Sequence, residues 1–127
     1  MTVAQAHSGT VLLDCFKRKA SHFSRARQVN LDLLLQFGQV PALVKIRNGQ
    51  VAQILEMTIP LQSSDFSIRG TEQGWTKFWN KVPEPGWHDI LALAKRKEFC
   101  IEGNLQPLMA NLQFIKDLLS ASRGGLA

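Results

Sequence analysis

His88 and Asp89, which follow Trp87, are a pair that could act as a general base with its partner. Adjacent residues of a helix do not face each other, however. Asp89 reads more simply as an acidic residue favoured by the N-terminal end of a short helix, with His88 exposed in its first turn. Cys15 and His22 lie two helical turns apart and would give two ligands of a metal site, with no paired C-x-x-C or H-x-x-x-H elsewhere. No metal is expected. Gly70 and Gly74 do not have the G-x-G-x-x-G spacing that cradles a dinucleotide phosphate, and Trp75 crowds the position after Gly74. No cofactor is expected either. What the chain has in abundance is apolar surface: Trp75, Phe78, Trp79, Trp87 and Phe99 together could bury on the order of a thousand square ångströms.

The elements that position these residues run from Ser64 to Leu119. In SDFSIRG, Phe66 and Ile68 alternate with Ser67 and Arg69 before Gly70, which is a strand pattern. TEQGWTKFWNKV places Trp75, Phe78, Trp79 and Val82 on one helical stripe, and Pro83 and Pro85 break it. A second short helical pattern, PEPGWHDILALA, leads to the strand EFCIEGN, closed by Gly103, with Asn104 placed to cap the last helix. That helix is one long run, with Leu105, Leu108, Met109, Leu112, Ile115 and Leu119 on one face and Phe114 opposite, an isolated surface residue, a partner contact, or a residue packed under the N-terminal helix. The packing reading is favoured, because Phe16 and Phe23 also need partners.

Before this stretch, residues 9–28 form a helical pattern with Leu12, Leu13, Phe16, Ala20 and Phe23 on one arc and Lys17, Arg18, His22 and Arg25 roughly opposite. Such a helix can lie on an anionic membrane or meet a protein partner. Docking of its apolar arc on the domain is the favoured reading, because Lys19 and Arg27 intrude on that arc. LDLLLQF then alternates with period two, and ALVKIRNGQVAQILEM holds an Asn48-Gly49 hairpin. One arm turns Ala42, Val44 and Ile46 inward; on the other, Val51, Leu55 and Met57 compete with Ala52 and Ile54 for the core. Thr58 to Ser63 reads as a loop, and Met1 to Ser8 and Ala121 to Ala127 as loose ends. The sum is a single α+β domain, a five-stranded sheet with helices on one face.

The order and spelling of these pieces resemble the sterol carrier protein family. They are FSIRG at Phe66 to Gly70, the tryptophans Trp75 to Trp79, PGWHDILAL from Pro85, FCIEGN at Phe99 to Asn104 and the apolar-faced helix from Leu105. The match runs from about Gln39 onward and is looser before it. The resemblance implies a lipid-binding domain that is not an enzyme. Its cavity or tunnel between sheet and helices would be lined by Phe37, Val44, Ile46, Phe66, Ile68, Trp75, Phe78, Trp79, Trp87, Ile90, Phe99, Ile101, Leu108, Met109 and Leu112. In that family the C-terminal helix closes one end of the cavity, which makes Met109 and Leu112 the expected flexible lid. Gln53, Asn111 and Gln113 would be the polar groups available to orient a ligand.

The bulk composition fits this reading. The net charge of +5 permits attraction to anionic surfaces, with Lys17, Arg18, Arg25 and Phe114 as the expected membrane or partner contacts. Aromatic residues are not interleaved with arginines as base stacking requires, so nucleic acid is not expected as a partner. Two cysteines in a helix and a strand are thiols of an intracellular protein, and no apolar run approaches a membrane span or a signal peptide, so a soluble, cytoplasmic protein is expected. The expected function is binding or transfer of a sterol, fatty acyl or isoprenoid lipid. The alternative is an accessory protein that presents a lipid to, or holds, an enzyme complex. The oligomeric state stays open, a dimer included.

Overall fold

Alternation in Leu31–Phe37 builds the central strand, β1, with Leu31, Leu33, Leu35 and Phe37 buried on one face. The computed structural model describes residues 8–56, 65–80, 82–83, 85–87 and 89–125. The expectations for residues 1–7, Met57, the loop from Thr58 to Ser63, His88 and residues 126–127 lie outside these.

The chain begins with α1 (Gly9–Ala20), whose N-cap Ser8 accepts a hydrogen bond from the Val11 amide. It ends well short of the expected Gln28. The Phe23 amide turns back to the Ala20 carbonyl, and the Arg25 amide donates to the Gly49 carbonyl at 3.0 Å, so the backbone groups that would extend the helix are taken up by turn and sheet. After β1 come β2 (Val40–Arg47) and β3 (Gln50–Glu56), the two arms of the Asn48-Gly49 hairpin. Strand β4 (Phe66–Gly70) and β5 (Phe99–Gly103) complete a mixed sheet in the order β3-β2-β1-β4-β5. The pair β1 and β4 is parallel, Leu33 opposite Phe66 and Leu35 opposite Ile68, and the other pairs are antiparallel.

The hairpin resolves its competing registers in a way that alternation does not anticipate. A bulge between Lys45 and Ile46 sets Val51 opposite Ile46 and Ile54 opposite Val44, so one residue from each competing set joins the inner face. Leu55 pairs with Leu43 on the outer face instead. Gly49, at φ +75°, sits so close to the loop before β1 that an added Cβ would lie 2.3 Å from the Arg25 carbonyl oxygen. Gly49→Ala is therefore expected to destabilise the fold by on the order of 2 kcal/mol, read as a lower urea midpoint with unchanged slope.

The helices α2 (Glu72–Phe78), α3 (Ile90–Lys95), α4 (Leu105–Ala110) and α5 (Leu112–Ser120) complete the α+β arrangement. Thr71, Asp89 and Asn104 cap the first three of them through their side chains. Because α2 stops at Phe78, Val82 leaves the expected stripe and is 83% exposed. The expected single C-terminal helix is two: Asn111, at φ −124° and ψ 31°, breaks it. The Asn111 side chain donates to the Pro107 carbonyl at 3.0 Å, a local bond that holds the break.

Candidate functional site

The interval between the inner face of the sheet and the helices is occupied by an aromatic cluster. Trp75 lies at its centre, with ring centroids 4.8 Å from Phe37, 5.1 Å from Trp79 and 4.5 Å from Phe99. Phe16 of α1 stacks on Trp79 at 6.4 Å with the planes 8° apart. Both indoles satisfy their one donor: Trp75 Nε1 donates to the Gln36 carbonyl at 2.9 Å, and Trp79 Nε1 to the Leu119 carbonyl at 2.6 Å. The rings thus tie α1 and α2 to the sheet, and the Trp79 bond to the Leu119 carbonyl ties in α5.

Of the residues expected to line a cavity, Phe37, Val44, Ile46, Phe66, Ile68, Trp75, Phe78, Trp79, Ile90, Phe99 and Leu108 are brought into one buried core. Ile101, Leu112 and Trp87 are partly buried against it. The Trp87 ring is flanked by cations, with Lys77 Nζ 4.4 Å and the Arg96 guanidinium carbon 5.1 Å from its centroid, so one polar environment already claims it. Met109 does not join the interior. It is 59% exposed, because α4 buries Leu108 and turns Leu105 and Met109 outward. Among the expected polar groups, Gln53 is exposed on β3, Gln113 donates to Asp117 on the surface, and Asn111 is engaged with Pro107.

Phe114 is corrected as an exposed membrane or partner contact: it is 1% exposed and meets Phe23 edge-on at 5.3 Å. The break at Asn111 re-phases α5, so that Phe114, Ile115, Leu118 and Leu119 form its buried face. The basic residues do not form one unpaired stripe. Lys17 pairs with Glu56 at 2.8 Å, Arg18 donates to the Gly125 carbonyl at 3.5 Å, and Arg25, off the helix, approaches Asp117 at 3.8 Å.

Residues 121–125, expected as part of a loose tail, form a strap instead. Arg123 donates through Nε and Nη2 to the Phe78 carbonyl at 3.1 and 3.0 Å, and the Gly124 amide donates to the Trp79 carbonyl at 2.9 Å. These bonds terminate α2. Sequence reasoning misses Arg123 because a single arginine before two glycines carries no signal of its partner.

Asp89 is occupied as the cap of α3, accepting from the Leu91 amide at 3.1 Å, and pairs with Lys116 at 3.5 Å. Cys15 is buried and His22 exposed, so the two do not converge, and among the described residues no group of three His, Cys, Asp or Glu could hold a metal. Burial pushes the Cys15 thiol pKa up, while Cys100 is exposed on β5. A thiol reagent at neutral pH is expected to modify Cys100 in the folded protein and Cys15 only on unfolding. Since the folded-state pKa is the higher one, the stability Cys15 contributes is present below the ordinary thiol range and is lost as pH rises through the raised value. A denaturation series into the alkaline range, repeated with Cys15→Ala, checks it.

Among the described residues no helix is long and apolar enough to cross a membrane. No family model and no curated protein sequence matches the chain. Solved structures do. The crystal structure of sterol carrier protein 2 superposes with a TM-score of 0.64 at 16% identity, covering 92% of this chain and 96% of that one. The UbiJ-SCP2 ubiquinone synthesis protein gives a TM-score of 0.51 at 15% identity, over 90% of this chain and 86% of that one. Two-layer order, strand sequence and capped helices agree with the expectation raised by FSIRG and FCIEGN, and the chain has the sterol carrier protein 2 fold.

Proposed function

We propose that this protein binds one apolar lipid, a sterol, fatty acyl chain or isoprenoid, in its interior and carries or presents it without altering it. The observation that supports this most is the construction of α4. Fewer than two turns long, it buries Leu108 over an apolar core while Leu105 and Met109 stay exposed, and it meets α5 at a break instead of a continuous helix. Movement of α4 about Asn111 would uncover the edge of the core next to β4, and the exposed Leu105 and Met109 would give an entering chain its first apolar contact. Each buried methylene then contributes about 0.8 kcal/mol, from which the cost of displacing packed side chains is subtracted.

Native mass spectrometry of the purified protein, followed by organic extraction, tests this. A copurified lipid of defined mass, or saturable uptake of added fatty acid or sterol, supports the reading; a clean mass with no uptake overturns it. Leu105→Asp with Met109→Asp is expected to leave stability within about 0.5 kcal/mol, since both residues are exposed, and yet to slow lipid uptake.

The filled aromatic interval favours a second reading, an accessory protein that holds an enzyme complex and uses the fold as a rigid platform. It predicts the opposite result: no uptake, and a partner retained when the interior is altered.

A further inference from the structure

Loop residues 24–28 and the tip of the β2–β3 hairpin flank a shallow, solvent-open recess of about 480 Å³, lined by Arg25 and Arg27 from the loop and by Asn48 and Gln50 from the hairpin. Among the described residues no carboxylate lines it. The recess is fixed by the backbone. Ser24 bridges to Gln50, the Arg25 amide donates to the Gly49 carbonyl at 3.0 Å, the Gly49 amide donates to the Val29 carbonyl at 3.2 Å, and the Asn48 amide donates to Asn30 Oδ1 at 3.0 Å. The Arg25 guanidinium is oriented by the Phe23 ring, 4.4 Å below it, and by the Ser24 carbonyl at 3.0 Å, while its approach to Asp117 is long at 3.8 Å. Arg27 is exposed. Its side chain makes no hydrogen bond or ion pair with another described residue.

We propose that this recess binds a phosphate-type anion between the Arg25 and Arg27 guanidinium groups, with the Asn48 side-chain amide and the second N–H of Gln50, whose Nε2 already donates to Ser24 Oγ at 3.4 Å, as neutral donors. Guanidinium forks match the oxygen geometry of a phosphate, and a loop clasped to a hairpin fixes the backbone from which both side chains extend. The proposal does not rest on lipid uptake by the interior, since none of its residues belongs to the aromatic cluster. A free phosphate and the phosphate of a lipid headgroup share this chemistry.

The experiment has two arms at low ionic strength. Inorganic pyrophosphate is titrated calorimetrically into the full chain, and the chain is sedimented with phosphatidylcholine vesicles with and without phosphatidylglycerol. Binding in at least one arm is expected, weakened about tenfold by Arg27→Gln, which removes one charge-assisted contact. Pyrophosphate binding identifies a free anion as the ligand, and binding only to phosphatidylglycerol vesicles identifies a headgroup. Lys95→Gln, which removes the same charge from exposed α3, is expected to leave binding unchanged. Arg25→Gln joins the series where circular dichroism shows it folded; Arg27→Gln decides alone where it is not. Absence of binding in both arms, binding unaffected by Arg27→Gln, or an equal loss with Lys95→Gln overturns the site.

Discussion

Trp79→Ala is expected to lower stability by about 4 kcal/mol. Trp79 is fully buried, stacks on Phe16, lies 5.7 Å from Phe37 and 5.1 Å from Trp75, and bonds the Leu119 carbonyl. Truncation removes the contacts of three elements at once and orphans a buried carbonyl. Trp79→Phe keeps much of the apolar contact but still leaves that carbonyl unpaired, and about 2 kcal/mol is expected for it. Urea denaturation gives both values as a fall in midpoint at constant slope. A loss under about 1 kcal/mol for Trp79→Ala would mean that the interval has slack around the indole. It would then have room for a lipid without rearrangement, which bears directly on whether uptake requires α4 to move.

The second large effect belongs to the strap. Arg123→Ala is expected to cost about 2 kcal/mol, because it removes two charge-assisted bonds to the Phe78 carbonyl and the stacking of the guanidinium 5.0 Å from the Phe78 ring. Arg123→Lys should recover only part of this, since an ammonium is a point charge and not a fork. Trp79 and Arg123 act on the same end of α2, so a double-mutant cycle is expected to show coupling of at least about 0.5 kcal/mol. Additivity within error would mean that the strap and the aromatic cluster hold α2 independently.

These residues show where sequence reasoning reaches and where it stops. Alternation at Phe66 and Ile68, the Asn48-Gly49 turn and the Asn104 cap are local signals. The structure places strands, hairpin and helix start where they indicate. The gathering of Trp75, Phe78 and Trp79 follows from helical spacing alone. What escaped is decided by partners distant in sequence. The end of α1 is set by the hairpin tip and the end of α2 by residues 123 and 124, while the inward turn of both Val51 and Ile54 depends on a bulge that no alternation encodes. Phe114 is the instructive case. On one continuous helix it opposes the apolar face, and a single break at Asn111 brings it into the core beside Phe23. That is the packing that the need of Phe23 for a partner favours, while Met109, expected at the lid over the interior, is turned outward on α4. Cavity lining could not be told from core packing in the sequence, since both require the same apolar side chains.

The parallel pairing of β1 with β4 also governs how fast the molecule assembles. β2 and β3 can zip around Asn48-Gly49 within microseconds, and β1 can add to β2 across a tight turn at Gly38. β4 must instead come back past the whole hairpin to lie beside β1, and only then can β5 add at the outer edge. Loop closure of that length is an entropic barrier met before any contact rewards it, which puts folding in the millisecond-to-second range of non-local sheets. Until β4 arrives, β1 presents an open apolar edge, and this interval is when a nascent chain is most prone to pair with another copy of itself.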